Sequence, residues 1–363
     1  MINSEVNKLT SVITHQPGDE FNNVHPINIK EEIYDNNGKL IQNPDFLLFD
    51  DLIYTEGAIA EHNQLTGVLE SYSRGSNIEF NDLLNEINQN EYDKAKHPMI
   101  NLIFTRDLGV VIGNTILVTW GKKEVRNEEN KLASKIFNIH PMFKKYDILD
   151  FHQICPELSI EGGDISVLDD KNVCIGISER TSKKSIEIIL PYIMDAGFDR
   201  IYGIELQKKR AMMHLDTVFT QLSKEDFLMY TPIFENNKNV YVFDKNSPKG
   251  KLKNNSFIDE LKTIFNNVNI IKCGGNEPIN QDREQWTDGA NALAIDNGVI
   301  ILYTRNTHTI NELKEFGYSI ASTSSVISNP NIITGKTVIT LDGPELCRGR
   351  GGARCLTLPL ARN

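Results

Sequence analysis

The 363-residue chain has little of what usually marks a protein's class. No apolar run approaches the ~18 residues of a membrane span, so no membrane partner is expected. The opening MINSEVNKLT lacks the charged-then-apolar build of a secretory signal. Five cysteines, an odd number without tight spacing, make neither a disulfide framework nor a zinc motif. Free thiols in a cytoplasmic protein are the expectation. No Pro-rich, Ser-rich or low-complexity tract divides the chain, and its nearest approach to a break is the polar stretch Glu86–Lys96. One domain over residues 1–363 is therefore expected. Positive charge is also short. Against 49 Asp+Glu stand 38 Lys+Arg, a net −11, which argues against a nucleic-acid partner and suits a small cationic one.

What the chain does have is a recurrent unit. Four segments place an Asp just before an apolar-alternating run, then a turn, then a second apolar run. They are RDLGVVIGNTILVTW from Arg106, GGDISVLDDKNVCIGIS from Gly162, HLDTVFTQLSKEDFLMY from His214 and TDGANALAIDNGVIILYT from Thr287. Each reads as a β-hairpin, with turns at Gly113-Asn114, Asp169-Asp170 and Asn297-Gly298. A fifth unit falls near Gly351–Arg362, where GGARCLTLPLAR repeats the opening. Helical patterns lie between hairpins: Ser182–Phe198, with Gly197 near its end, and Asn311–Gly317. The bland reading is a two-layer α+β domain with ordinary hairpin grammar. The sharper one is radial repetition of hairpin-plus-helix blades, which brings the hairpin openings to one mouth.

Those openings carry Asp107, Glu161, Asp164, His214, Asp216, Asp288 and Cys355. One cysteine, one histidine and several carboxylates form a nucleophile–base constellation around a positive charge. A triad needs only one carboxylate. Paired carboxylates gripping a guanidinium account for the surplus. Metal competes for the same residue types, but the spacings His214–Asp216 and Glu161–Asp164 match no ligand motif, so neither metal nor cofactor is expected.

Seven further stretches occur in order: LFDDLIY (Leu48–Tyr54), NLIFTRD (Asn101–Asp107), SIEGGDISVL (Ser159–Leu168), GISERTS (Gly176–Ser182), MHLDTVFT (Met213–Thr220), REQWTDGANALAI (Arg283–Ile295) and RGRGGARCLTLPLAR (Arg348–Arg362). Together they resemble the arginine deiminases of the guanidino-modifying superfamily. The resemblance implies a five-bladed α/β propeller of pseudo-fivefold symmetry. It implies Cys355 as the nucleophile, His214 and Glu161 as the acid–base pair, and Asp107 and Asp216 as the guanidinium's carboxylates. It also implies Asn101, Arg180, Arg350 and, on a looser local match, Arg126 at the amino-acid end of L-arginine. Self-association into a homo-oligomer stays open.

Other residues receive quieter expectations. Trp286, Tyr303 and Cys174 read as core, His62 as the polar face of a helix, and Cys273 as packing or support for the site. Asp50-Asp51 reads as structural or substrate-side; Arg348 and Arg354 are left undecided. Two departures from the family pattern stand out. The helical bundle that such enzymes carry before NLIFTRD is missing, and Gly75–Ile87 already supplies the next strand and helix. An extension between Ser319–Thr323 and Glu345 reads as an added hairpin or loop beside the catalytic turn. Free arginine is the expected substrate. The alternatives are another guanidino substrate, double hydrolysis to ornithine, amidino transfer to an amine, or a silent binding propeller. Arginines at the carboxylate-binding positions argue against agmatine.

Overall fold

All four hairpins form in the computed structural model, which describes residues 1–73, 76–87, 97–236 and 240–363. Gly109–Ile112 pairs antiparallel with Thr115–Val118, Ile165–Val167 with Asn172–Ile177, Phe219–Gln221 with Asp226–Met229, and Leu293–Asp296 with Val299–Tyr303. The first turns at Gly113, whose φ of +62° is cheap only for glycine. Three hairpins are followed by a helix and a parallel strand: Asp147–Asp150, Arg200–Glu205 and Asn269–Lys272. The polar stretch expected as a break lies mostly outside the described residues.

The helices form where the sequence places them. Lys183–Asp195 starts at Ser182, whose hydroxyl accepts from the Ser185 N–H at 3.1 Å, and gives way to Gly197 at φ +100°. Its buried face is Ile186, Ile189, Leu190 and Ile193, spaced three and four apart. Helix Asn127–Ile139 likewise buries Leu132, Ile136 and Phe137, each contributing roughly 1.5–3 kcal/mol. The expected helix at 311–317 is Thr307–Glu315.

The fifth unit is assembled from both ends of the chain. Leu358–Arg362 pairs antiparallel with Leu9–Thr14, which pairs parallel with Ser76–Glu79 after helix Thr55–Ser73. The repeat at Gly351–Arg362 thus supplies one strand, and the amino-terminal segment supplies its partner. Four further strands are not among the repeated units. Val240–Asp244 and Ser247–Lys253 widen one sheet to five strands, and Glu32–Tyr34 with Leu40–Gln42 makes a separate ribbon.

The expected extension is not a hairpin or loop. It is helix Thr323–Ser328 followed by strand Thr337–Leu341, which inserts parallel between Val299–Tyr303 and Ser319–Ser322. Burial explains the order. Val338, Ile339 and Leu341 are fully buried, whereas Ser319–Ser322 is mostly exposed and takes the sheet edge. His62 also departs from expectation: it is fully buried in helix Thr55–Ser73, and burial pushes its imidazole down to about 4. Among the described residues no helix is long and apolar enough to cross a membrane.

Candidate active site

The hairpin openings at Asp107, Asp164 and Asp216 are short 3-10 turns, those at Asp288 and Cys355 are plain turns, and hydrogen bonds tie them to one another. Asp107 Oδ1 accepts the Gly163 N–H at 2.9 Å, and Asp164 Oδ1 accepts the Leu215 N–H at 2.9 Å. The carbonyl of Asp216 accepts from Asn291 Nδ2 at 3.1 Å, and Asn291 Oδ1 accepts the Cys355 N–H at 3.3 Å. The Cys355 carbonyl accepts the Arg106 N–H at 3.2 Å, returning to the first opening. Residues far apart in sequence are thereby held in one place.

Around this ring, His214 Nε2 lies 2.7 Å from Glu161 Oε2, and Arg180 Nη1 donates to the same oxygen at 3.2 Å. Arg126 Nη1 donates to Asp107 Oδ2 at 3.0 Å, and its Nε to Glu129 at 2.8 Å. Cys355 Sγ lies 3.7 Å from Asp216 Oδ2, which also accepts from Arg354 Nη1 at 2.7 Å. Asp216 Oδ1 has no hydrogen-bond partner among the described residues and is free for a donor. A cavity of about 30 Å³ is lined by Asn101, Asp107, Arg126, Arg180, His214, Arg350 and Cys355, with Leu48 and Phe104. Glu161 and Asp216 stand behind that lining.

The charges set the protonation states. Burial opposes a charged imidazole at His214, but the carboxylates of Asp107, Glu161 and Asp164 outweigh it and raise the group to about 10. Burial raises the Cys355 thiol well above its ordinary value, and Asp216, Asp288 and Asp107 push it further against Arg354. Glu161 is buried, yet Arg180 and His214 hold it well below the usual carboxylate range. The resting pair is therefore thiol and imidazolium.

The arginines differ in what they have left to give. Arg180 spends Nε on Glu179 at 2.8 Å and Nη1 on Glu161. Arg126 gives Nη2 to the Asn101 carbonyl at 3.2 Å and keeps one Nη1 hydrogen beyond its bond to Asp107. Asn101 Nδ2 donates to the Leu47 carbonyl at 3.0 Å. Arg350 is buried at φ +64°, and none of its three side-chain nitrogens has a hydrogen-bond partner among the described residues. Its guanidinium stacks 3.7 Å from the centroid of Trp286.

Trp286 is thus not core: it is 46% exposed, because one face covers Arg350 while the rest meets solvent. Tyr303 is core, and its hydroxyl donates to the Gly351 carbonyl at 2.8 Å. Cys174 and Cys273 are buried too. Asp50 pairs with Arg210 at 2.5 Å, and Asp51 pairs with Arg348 on the surface. Sequence reasoning left Arg354 undecided and did not single out Glu5, which clasps Arg354 at 3.0 and 2.7 Å, or Asn291. A buried-polar role has no sequence periodicity to announce it.

Asp107, Glu161 and His214 place ligand atoms within 4.8 Å of one another. Each carboxylate is already paired, with Arg126 and Arg180, and His214 is bonded to Glu161. A divalent cation there would sit against two guanidiniums, so the trio fits a metal poorly.

Residues 73–362 match the arginine deiminase family. The arginine deiminase of Borrelia recurrentis is 29% identical over 432 aligned positions, which cover 99% of this chain and 97% of that protein. That of Bacillus cereus is 33% identical over 288 positions, 77% of this chain and 66% of its own length. Since 432 positions exceed the 363 residues here, the Borrelia protein has segments that this chain lacks. Among solved structures, the N-terminal domain of ArgZ, an arginine dihydrolase from the ornithine-ammonia cycle in cyanobacteria, superposes with a TM-score of 0.61 at 16% identity over 98% of both chains. A dimethylarginine dimethylaminohydrolase bearing an adduct with S-methyl-L-thiocitrulline gives 0.60 at 16%, over 97% of this chain and 100% of its own. AgrE with ornithine and NAD+ gives 0.61 at 15%, with this chain spanning 40% of its length. At such identities the likeness is one of fold.

Proposed function

This chain belongs to the arginine deiminase family, and from that premise we propose that it hydrolyses L-arginine to L-citrulline and ammonia through a covalent adduct on Cys355. The observation that carries the reading is the grouping of Cys355 Sγ, the His214–Glu161 pair and the two carboxylates Asp107 and Asp216 around one buried cavity. The fold that goes with it is a five-bladed α/β propeller formed by residues 1–363 as one unit. The hydrogen-bonded circuit of hairpin openings supports that arrangement.

A guanidinium carbon is a poor electrophile, because its charge is spread over three nitrogens. Asp107 and Asp216, the latter with Oδ1 free, grip those nitrogens and fix the carbon against sulfur. Carboxylates that hold the Cys355 thiol protonated are answered by the incoming cation. The thiol proton leaves to solvent, and the sulfur attacks. His214, an imidazolium held by Glu161, gives its proton to one nitrogen, and ammonia departs from the tetrahedral adduct. An S-alkylthiouronium remains on Cys355. Neutral His214 then takes one proton from water and the oxygen adds to the carbon; the C–S bond breaks with its electron pair returning to sulfur, the remaining O–H proton passes to that sulfur, and citrulline is released. Arg180, Arg350, Asn101 and the spare donor of Arg126 receive the amino-acid end. Substrate entry requires the cavity of about 30 Å³ to widen.

Incubation with L-arginine, with and without an acceptor amine, followed by mass analysis of products tests the reading. Citrulline with ammonia is expected. Ornithine formed without an acceptor, or a transferred amidino group, would replace it with double hydrolysis or transfer.

A further inference from the structure

Asn291 is fully buried in the turn that precedes strand Leu293–Asp296. Its Oδ1 accepts two backbone N–H groups, from Arg354 at 3.1 Å and from Cys355 at 3.3 Å. Those donors fix the orientation of the amide, because only its oxygen can meet two N–H groups. Nδ2 therefore faces the other way. Its two hydrogens go to the Asp216 carbonyl at 3.1 Å and to Cys355 Sγ at 3.1 Å. An amide nitrogen donates and does not accept, so toward sulfur it favours thiolate over thiol. Asp216 Oδ2, 3.7 Å from Sγ, does the opposite. Gly352 makes room for this contact: a Cβ there would lie 2.6 Å from the Asn291 carbonyl oxygen and 2.7 Å from its Oδ1.

We propose that Asn291 is a catalytic residue whose side-chain N–H stabilises the Cys355 thiolate, while its carbonyl end anchors the nucleophile's turn. The inference rests on the reading of Cys355 as nucleophile. The N–H acts twice. When the S–H bond breaks, the electron pair stays on sulfur, the proton leaves to solvent and the amide meets the new charge. When the C–S bond of the second tetrahedral adduct breaks, the pair returns to sulfur and the same N–H receives it. No other co-reactant is needed.

Asn291→Asp separates the two ends of the side chain. It keeps an oxygen for the two backbone N–H groups and puts an acceptor where the sulfur-facing donor was. At pH 8, iodoacetamide should alkylate Cys355 at least tenfold more slowly in the variant, read on the peptide that carries it. Below the thiol's midpoint that rate follows the thiolate fraction. The kcat for arginine should fall at least thirtyfold. Native alkylation and native kcat in this variant would overturn the proposal, because the anchoring end survives in it. If Asn291→Asp does not fold, Asn291→Ala, which removes the sulfur-facing donor, carries the alkylation test, and a native alkylation rate there overturns the proposal. Cys355→Ser, assayed alongside, keeps the two ideas apart. Turnover by that variant sinks the nucleophile assignment, whereas its inactivity beside a native-like Asn291→Asp sinks only the role of Asn291.

Discussion

The guanidinium of Arg350 lies 3.7 Å from the ring centroid of Trp286, buried and without a hydrogen-bond partner among the described residues. The Asp50 carboxylate, 3.8 Å from Nε, answers part of its charge, but the N–H donors of the buried guanidinium stay without hydrogen bonds, which is costly unless something draws on them. A substrate α-carboxylate would do so.

Arg350→Ala and Arg180→Ala should each weaken L-arginine by a charged-pair amount, of order 2–5 kcal/mol. Agmatine, which lacks the carboxylate, should be a poor substrate of the native protein and lose far less on either change. Trp120 and Trp286 are the only two tryptophans. Arginine binding to Cys355→Ser should therefore change tryptophan fluorescence as Arg350 leaves the ring, and agmatine should not. Equal turnover of agmatine and arginine by the native protein would end the free-arginine assignment while leaving the cysteine chemistry in place.

Asp107→Asn or Asp216→Asn should lower kcat and raise KM together, because the same contacts bind and orient the guanidinium. A half-paired buried cation typically costs several kcal/mol. Steady-state kinetics on both variants provide the check, and an effect confined to KM would reduce the residue to an attractor of substrate.

The His214 imidazole is raised from 6.5 to about 10 in the fold, because neighbouring carboxylates outweigh its burial. A raised pKa means that the folded state holds the proton more tightly than the unfolded chain. Its contribution, of order a few kcal/mol, is complete below about pH 6.5 and is lost as pH rises toward 10. Urea unfolding of the native protein and His214→Gln at pH 6, 8 and 10 should show the stability gap between them closing. A gap of constant size would mean that the imidazole is not charged in the fold.

Glu5 and Arg354 stand 349 positions apart and form a bidentate buried pair at 3.0 and 2.7 Å. Glu5→Gln leaves Arg354 short of one charge, and breaking a buried pair costs about 3–5 kcal/mol. A lower denaturation midpoint is expected, with reduced activity, since Arg354 also holds Asp216. An unchanged midpoint would show that Asp216 alone suffices for Arg354.

Much of the fold was legible in the sequence because hairpins write themselves locally. Alternation, turn residues and an Asp before each run are all within about fifteen positions of one another, and strand pairing follows from them. Hence the hairpins opening at Asp107, Asp164, Asp216 and Asp288 were found, along with the helix capped by Ser182. The residues that meet at the ring stand where those local units begin. Tertiary structure decided the rest, and in each case the deciding contact was distant in sequence. The strand Leu358–Arg362 found its partner at Leu9–Thr14. Thr337–Leu341 took the middle of its sheet, paired along both edges, because its side chains are mostly buried while those of Ser319–Ser322 are mostly exposed. His62 went inside and Trp286 came partly out, against their local patterns, because helix packing and the Arg350 guanidinium made better use of them there. Asn291 acquired its place at the sulfur only when the turn at Cys355 folded against it. Residue type and spacing set which groups could do chemistry; long-range burial and hydrogen bonding set which atoms face one another.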